Sequence, residues 1–128
     1  METIYEGYLL HYGRPRLFMP ATRERALLLG DYLYAHGLVR IARTHEVAAV
    51  SDLAELISLC AQRRGDGGND DGWAWAATVA LLGTAALDGA RAALREDGLA
   101  EPLEALARGA AGSEAVERAL AAHHSRVG

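Results

Sequence analysis

No lysine occurs anywhere in the 128-residue chain, so all 13 basic residues are arginine. They are scattered, and at a net charge of −4 they form no basic stripe of the kind a nucleic-acid surface needs. A single cysteine, Cys60, excludes an internal disulfide, and its apolar helical setting suits a reducing cytoplasm. No apolar run reaches the length of about 20 residues that a membrane span requires. The longest stretch, Trp73 to Leu87, is 15 residues, interrupted only by Thr78 and Thr84 and bounded by Asp71 and Asp88. It reads as a buried core helix, and no membrane span is expected. Glu2 and Glu6 break any early apolar run, so no signal peptide is expected. Strand-like alternation and solenoid-period repeats are absent as well. These absences leave an all-α protein.

The length suits one compact helical domain over residues 1–128, and a hydrophobic content of 51% excludes disorder over most of it. Glu2 to Tyr12 places Ile4, Tyr8, Leu9 and Tyr12 on one side of a short helix that ends at Gly13-Arg14-Pro15. Thr22 or a near neighbour caps a second helix that runs to about Thr44. Its apolar residues cover almost the whole circumference, which predicts a central helix surrounded by others. Gly30 and Gly37 lie seven apart on it, where a neighbour can approach closely. A third amphipathic helix spans about Glu46 to Arg63, with Arg63-Arg64 at its negative dipole end. The glycine- and aspartate-rich segment 65–72 predicts a flexible loop. A fourth helix is expected from Trp73 to about Glu96. Two short helices follow within 102–124, about Pro102–Arg108 and Ser113–His123, separated by Gly109-Ala110-Ala111-Gly112. The expected architecture is an antiparallel bundle of four main helices plus one or two short C-terminal ones.

Few residues offer chemistry. Asp31, Tyr32 and Tyr34 are the polar groups of the apolar second helix; they either satisfy a neighbouring helix end or line a ligand cavity or subunit interface. Asp66, Asn69, Asp70 and Asp71 lack the spacing of a calcium loop and its closing glutamate. The histidines, His11, His36, His45, His123 and His124, include no i, i+4 pair and no E-x-x-H motif, so no metal is expected. His123-His124 reads as a solvated helix end, and Cys60 with a histidine makes only a weak nucleophile site. Trp73 and Trp75 point to different faces, one into the core and one to a rim. Tyr5, Tyr8 and Tyr12 follow a helical spacing that clamps the first helix down.

Ala26-Leu27-Leu28-Leu29-Gly30-Asp31-Tyr32-Leu33-Tyr34-Ala35 resembles the "A-x-L-x-G-D-Y-L-x-A" helix of the trans-isoprenyl diphosphate synthases. It follows Tyr12-Gly13-Arg14-Pro15-Arg16 at a spacing similar to the family's "R-G-x-P-T" segment. Glu46 to Gln62 is similar to the next family helix in hydrophobic pattern, without residue identity. Trp73 to Leu82 resembles the family's "Y-x-x-x-x-x-K-T-A-x-L", with Thr78 at the threonine and Leu81 at the leucine. The departures all concern catalysis. The family's diphosphate-binding lysine falls on Ala77. No aspartate precedes Tyr12, and none follows Gly98, so both aspartate-rich magnesium motifs are missing. Without them, no metal cluster can stabilise the diphosphate leaving group. The resemblance therefore implies the family's bundle core without its catalytic rim: a non-enzymatic, cofactor-free interaction or regulatory subunit. Such a chain would form a homo-oligomer or join a heteromeric partner. The alternative is a binding protein for a prenyl lipid or another apolar ligand. Small residues Gly30, Ala35, Gly37, Ala76, Ala80 and Gly83 would then face each other across a channel. Ligand or interface candidates are Gly30, Asp31, Tyr34, Gly37, Trp73 and Thr78.

Overall fold

The computed structural model describes residues 2–15, 20, 22–44, 47–68 and 70–127. Arg16, His45, Glu46 and Asn69, which entered the sequence reading, lie outside them. Among the described residues every regular element is a helix, and there is no strand. Its elements are α1 (Glu2–Tyr12), α2 (Arg23–Thr44), α3 (Val47–Gly65), α4 (Asp71–Leu81), a 3-10 turn (Ala85–Leu87), α5 (Asp88–Asp97), α6 (Glu101–Ala111) and α7 (Ser113–Val127). The local signals are conventional. The Thr22 hydroxyl accepts the Arg25 N–H at 3.1 Å, and Pro102 sits in the first turn of α6. Gly98, at φ +69°, ends α5 in the left-handed conformation, and its N–H returns to the Ala93 and Leu94 carbonyls.

The expected fourth helix is two helices. α4 stops at Leu81, and Gly83 turns the chain with φ +80°. Asp52 of α3 holds this break. One of its carboxylate oxygens accepts the Gly83 N–H at 2.8 Å, and the other accepts from buried Arg91 of α5 at 2.8 Å. An apolar sequence continued through residues 82–84, but a buried carboxylate 31 residues upstream needed donors, and the broken helix supplies them.

α4 is the centre of the molecule, packed against α3, α6 and α7. Leu53, Leu56, Leu59, Cys60, Trp75, Leu94, Leu103 and Val116 form one core around it. The expectation that α2 would be central is corrected. Among its described residues only Ala26, Gly30, Leu33 and Gly37, a seam at 4-3-4 spacing, are buried. On the opposite side Leu28, Tyr32 and Val39 are 69%, 61% and 50% exposed. The glycines do permit close approach, as expected, but the neighbour is α1. A methyl added at Gly30 would meet the His11 ring at 2.6 Å and the Gly7 carbonyl at 3.0 Å; one at Gly37 would collide with Ile4. α2 therefore closes on α1 and does not face α4 across a channel.

Candidate functional site: a buried polar cluster beside an alanine-lined cavity

Three helices bring aromatic and ionisable groups to one point. α1 contributes Tyr5 and Tyr8, one helical turn apart. The end of α3 contributes Arg64, and the start of α4 contributes Asp71. Asp71 and Gly72, expected in the loop, are the first residues of α4 and are buried. The turn between α3 and α4 is closed by two arginine–aspartate forks with partners seven residues apart. Arg63 donates to both oxygens of Asp70, at 2.9 and 3.0 Å, and Arg64 donates to both oxygens of Asp71, also at 2.9 and 3.0 Å. The two arginines thus close the turn with side chains as well as complementing a helix dipole.

The fourth contributor is His123 of α7. It is 5% exposed, which corrects its reading as a solvated helix end. α7 continues to Val127, and Val116, Leu120 and His123 recur at i, i+4 and i+7 on its inward face. His124, next along the chain, is exposed, as expected.

Asp71 is fully satisfied. Besides Arg64 it accepts the Tyr8 hydroxyl at 2.7 Å and faces His123 Nε2 at 3.3 Å. Burial alone would raise its pKa. The hydrogen bonds from His123, Arg64 and Tyr8 outweigh that and lower it to about 2. An ionised carboxylate can only accept, which assigns a proton to His123 Nε2. The other ring nitrogen, Nδ1, lies 2.9 Å from the Tyr5 hydroxyl. The result is a continuous chain, Arg64–Asp71–His123–Tyr5, with fully buried Asp71 inside it. Burial and the adjacent Asp71 carboxylate push the Tyr8 hydroxyl far above the ordinary phenol range, so it stays a donor. Cys60 is also pushed well up, first by burial and then by Asp71, and is no nucleophile at neutral pH.

The chain of hydrogen bonds ends at a cavity of about 630 Å³ between α4 and α7. α4 lines it with Trp75, Ala76, Val79 and Ala80, and α7 with Ala115 and Ala119. Tyr5, His123, Glu2 and Arg126 supply its polar side. These last four come from the first half of α1 and the last turns of α7, so the polar groups gather at one end.

None of the six sequence candidates lines this cavity. Gly30, Asp31, Tyr34 and Gly37 lie at the α1–α2 crossing. There the Tyr34 ring stacks on His11 at 5.2 Å, and exposed Asp31 lies 3.0 Å from His11 Nε2. Trp73 is half-buried beneath the Arg108 guanidinium, 5.2 Å from the ring centre, while Trp75 enters the core. Thr78 is buried in α4, and so is Ala77. Of the small residues expected to line a channel, Ala76 and Ala80 do line the cavity, but across from α7. The sequence reading names Arg64, Asp71 and His123 but does not bring them together. The repeated seven-residue Arg–Asp spacing and the 116/120/123 period of α7 were the available signals.

Among the described residues, no group of three His, Cys, Asp or Glu is placed to hold a metal, and no helix is long and apolar enough to cross a membrane. Comparison of the chain with protein-family models, with curated proteins and with solved structures finds no match.

Proposed function

We propose that this chain is a binding protein for a small, largely apolar molecule held between α4 and α7. The cavity carries this reading. Its 630 Å³ lies within the range of about 300–1,000 Å³ typical of small-ligand sites, and apolar side chains with a few converging polar groups line it. The polar cluster gives it a fixed wall, because Tyr8, Arg64, Asp71 and His123 tie α1, α3, α4 and α7 together. A ligand that binds only the folded state stabilises it by mass action, by about 2.7 kcal/mol at a hundredfold excess over its dissociation constant. Titrating farnesol and shorter apolar molecules while following the melting temperature tests this. A dose-dependent rise that Ala119→Trp removes supports the reading, and a flat melt for every compound refutes it.

A second reading, the interaction or regulatory subunit, draws on α2. Leu28, Tyr32, Ala35, Val39 and Ala42 are exposed and follow 4-3-4-3 spacing, the seam a helix presents to another helix. In this reading the chain keeps an isoprenoid-synthase-like bundle core without the chemistry, and α2 meets a second copy or a heteromeric partner. Two measurements test it. Incubation with isopentenyl and allylic diphosphates plus magnesium should give no elongated product. Light scattering at high micromolar concentration should show an assembly that Val39→Glu dissolves.

A further inference from the structure

We infer that the ligand of the α4–α7 cavity is an amphiphile with an uncharged hydrogen-bonding head, an alcohol or an amide, seated between Glu2, Tyr5, His123 and Arg126. The inference rests on the cavity being a ligand site. Charges of both signs meet at its polar end: exposed Glu2 and half-buried Arg126 line the same space, and their formal charges cancel. The wall behind them is balanced too, since the fork from Arg64 neutralises Asp71. An anionic head would gain from Arg126 and lose to Glu2, and a cationic head the reverse. Neither gains a net attraction that offsets stripping its hydration shell in a space otherwise lined by alanine, valine and tryptophan. A hydroxyl or amide leaves water at far smaller cost. With both ring nitrogens of His123 engaged by Asp71 and Tyr5, such a head donates to the Tyr5 phenol oxygen or the Glu2 carboxylate and accepts from the Arg126 guanidinium. The apolar part then runs along Ala76, Val79 and Ala80 towards Ala115, away from the charged end.

Three probes of equal tail length separate the alternatives: 1-octanol, octanoate and octylamine, titrated at pH 7 with melting temperature and tryptophan fluorescence as readouts. Wild type should bind 1-octanol, with both ionised probes weaker by about tenfold or more. Ala119→Trp, at an exposed cavity-lining position, should abolish binding of all three without unfolding the protein. Glu2→Gln should strengthen octanoate selectively, and Arg126→Gln should strengthen octylamine selectively, a swap that a merely structural role for these residues would not produce. If octanoate or octylamine binds as well as the alcohol, and neither variant alters the order while Ala119→Trp still blocks binding, the uncharged-head inference is overturned and the cavity reading stands. If no probe binds wild type, or binding survives Ala119→Trp, both are overturned.

Discussion

Two pairs of helices in this protein meet through small residues, and they end up differently. At the α1–α2 crossing Gly7, Gly30 and Gly37 let the backbones touch, with Ile4 and His11 filling the space the glycines leave. Between α4 and α7, Ala76, Ala80, Ala115 and Ala119 face each other and the gap stays open, at about 630 Å³. Small side chains permit close approach but do not enforce it. What differs is the bracing. α1 and α2 are free to settle until glycine meets backbone. α7 is held at a set distance from α4, because His123 reaches Asp71 on one side and Val116 and Leu120 join the common core on the other. Alanine side chains are too short to fill the space that remains.

The brace is the first place to break this contrast. Asp71→Ala leaves the Arg64 guanidinium deprived of its buried partner, and should cost about 3–5 kcal/mol of unfolding free energy in urea. A loss below about 1 kcal/mol would mean that the cluster does not hold the helices. The closed crossing comes next. Gly37→Leu drives a side chain into Ile4 and should cost about 1–3 kcal/mol by the same assay. The brace also has a pH signature. Asp71 sits at about 2 when folded against an ordinary 3.8, so its contribution is complete above the ordinary value and drains away as pH falls through 2. That difference is worth roughly 2 kcal/mol, visible as a loss between pH 5 and pH 2 that Asp71→Asn lacks. The smallest effect belongs to the open pair. Ala119→Leu adds volume where there is space, and should change stability by no more than about 0.5 kcal/mol in either direction. A cost like that of Gly37→Leu would show the cavity to be already filled by packing.

Much of this architecture is legible from local signals. α2 and α6 begin where Thr22 and Pro102 indicate, but α6 runs on through Gly109-Ala110-Ala111, so Gly112 alone separates it from α7. The sequence period fails where burial depends on a distant partner. α2 looked central because its apolar residues encircle it, yet burial is set by which elements pack beside it, and only α1 and α3 do so substantially. The break at Gly83 was hidden in an apolar run because its cause, Asp52, is remote in sequence. Asp71 lies hidden in a glycine–aspartate segment, and its burial and its bonds to Arg64, Tyr8 and His123 are what distinguish it from Asp66. His123 was read with its neighbour His124 as a solvated pair, when its spacing from Leu120 placed it on the buried face. In the last three cases the residue is visible in the sequence but its pairing is not, because an ion pair or hydrogen bond across helices leaves little trace in either helix alone.

The most direct measurement is a methyl NMR titration of the protein, labelled at alanine and isoleucine methyl groups, with 1-octanol. Ala76, Ala80, Ala115 and Ala119 should shift saturably, while Ile4 and Ala26 at the closed α1–α2 crossing stay fixed. Shifts at Ile4 and Ala26, or none at the four cavity alanines, would contradict the division between a closed helix pair and an open one that binds.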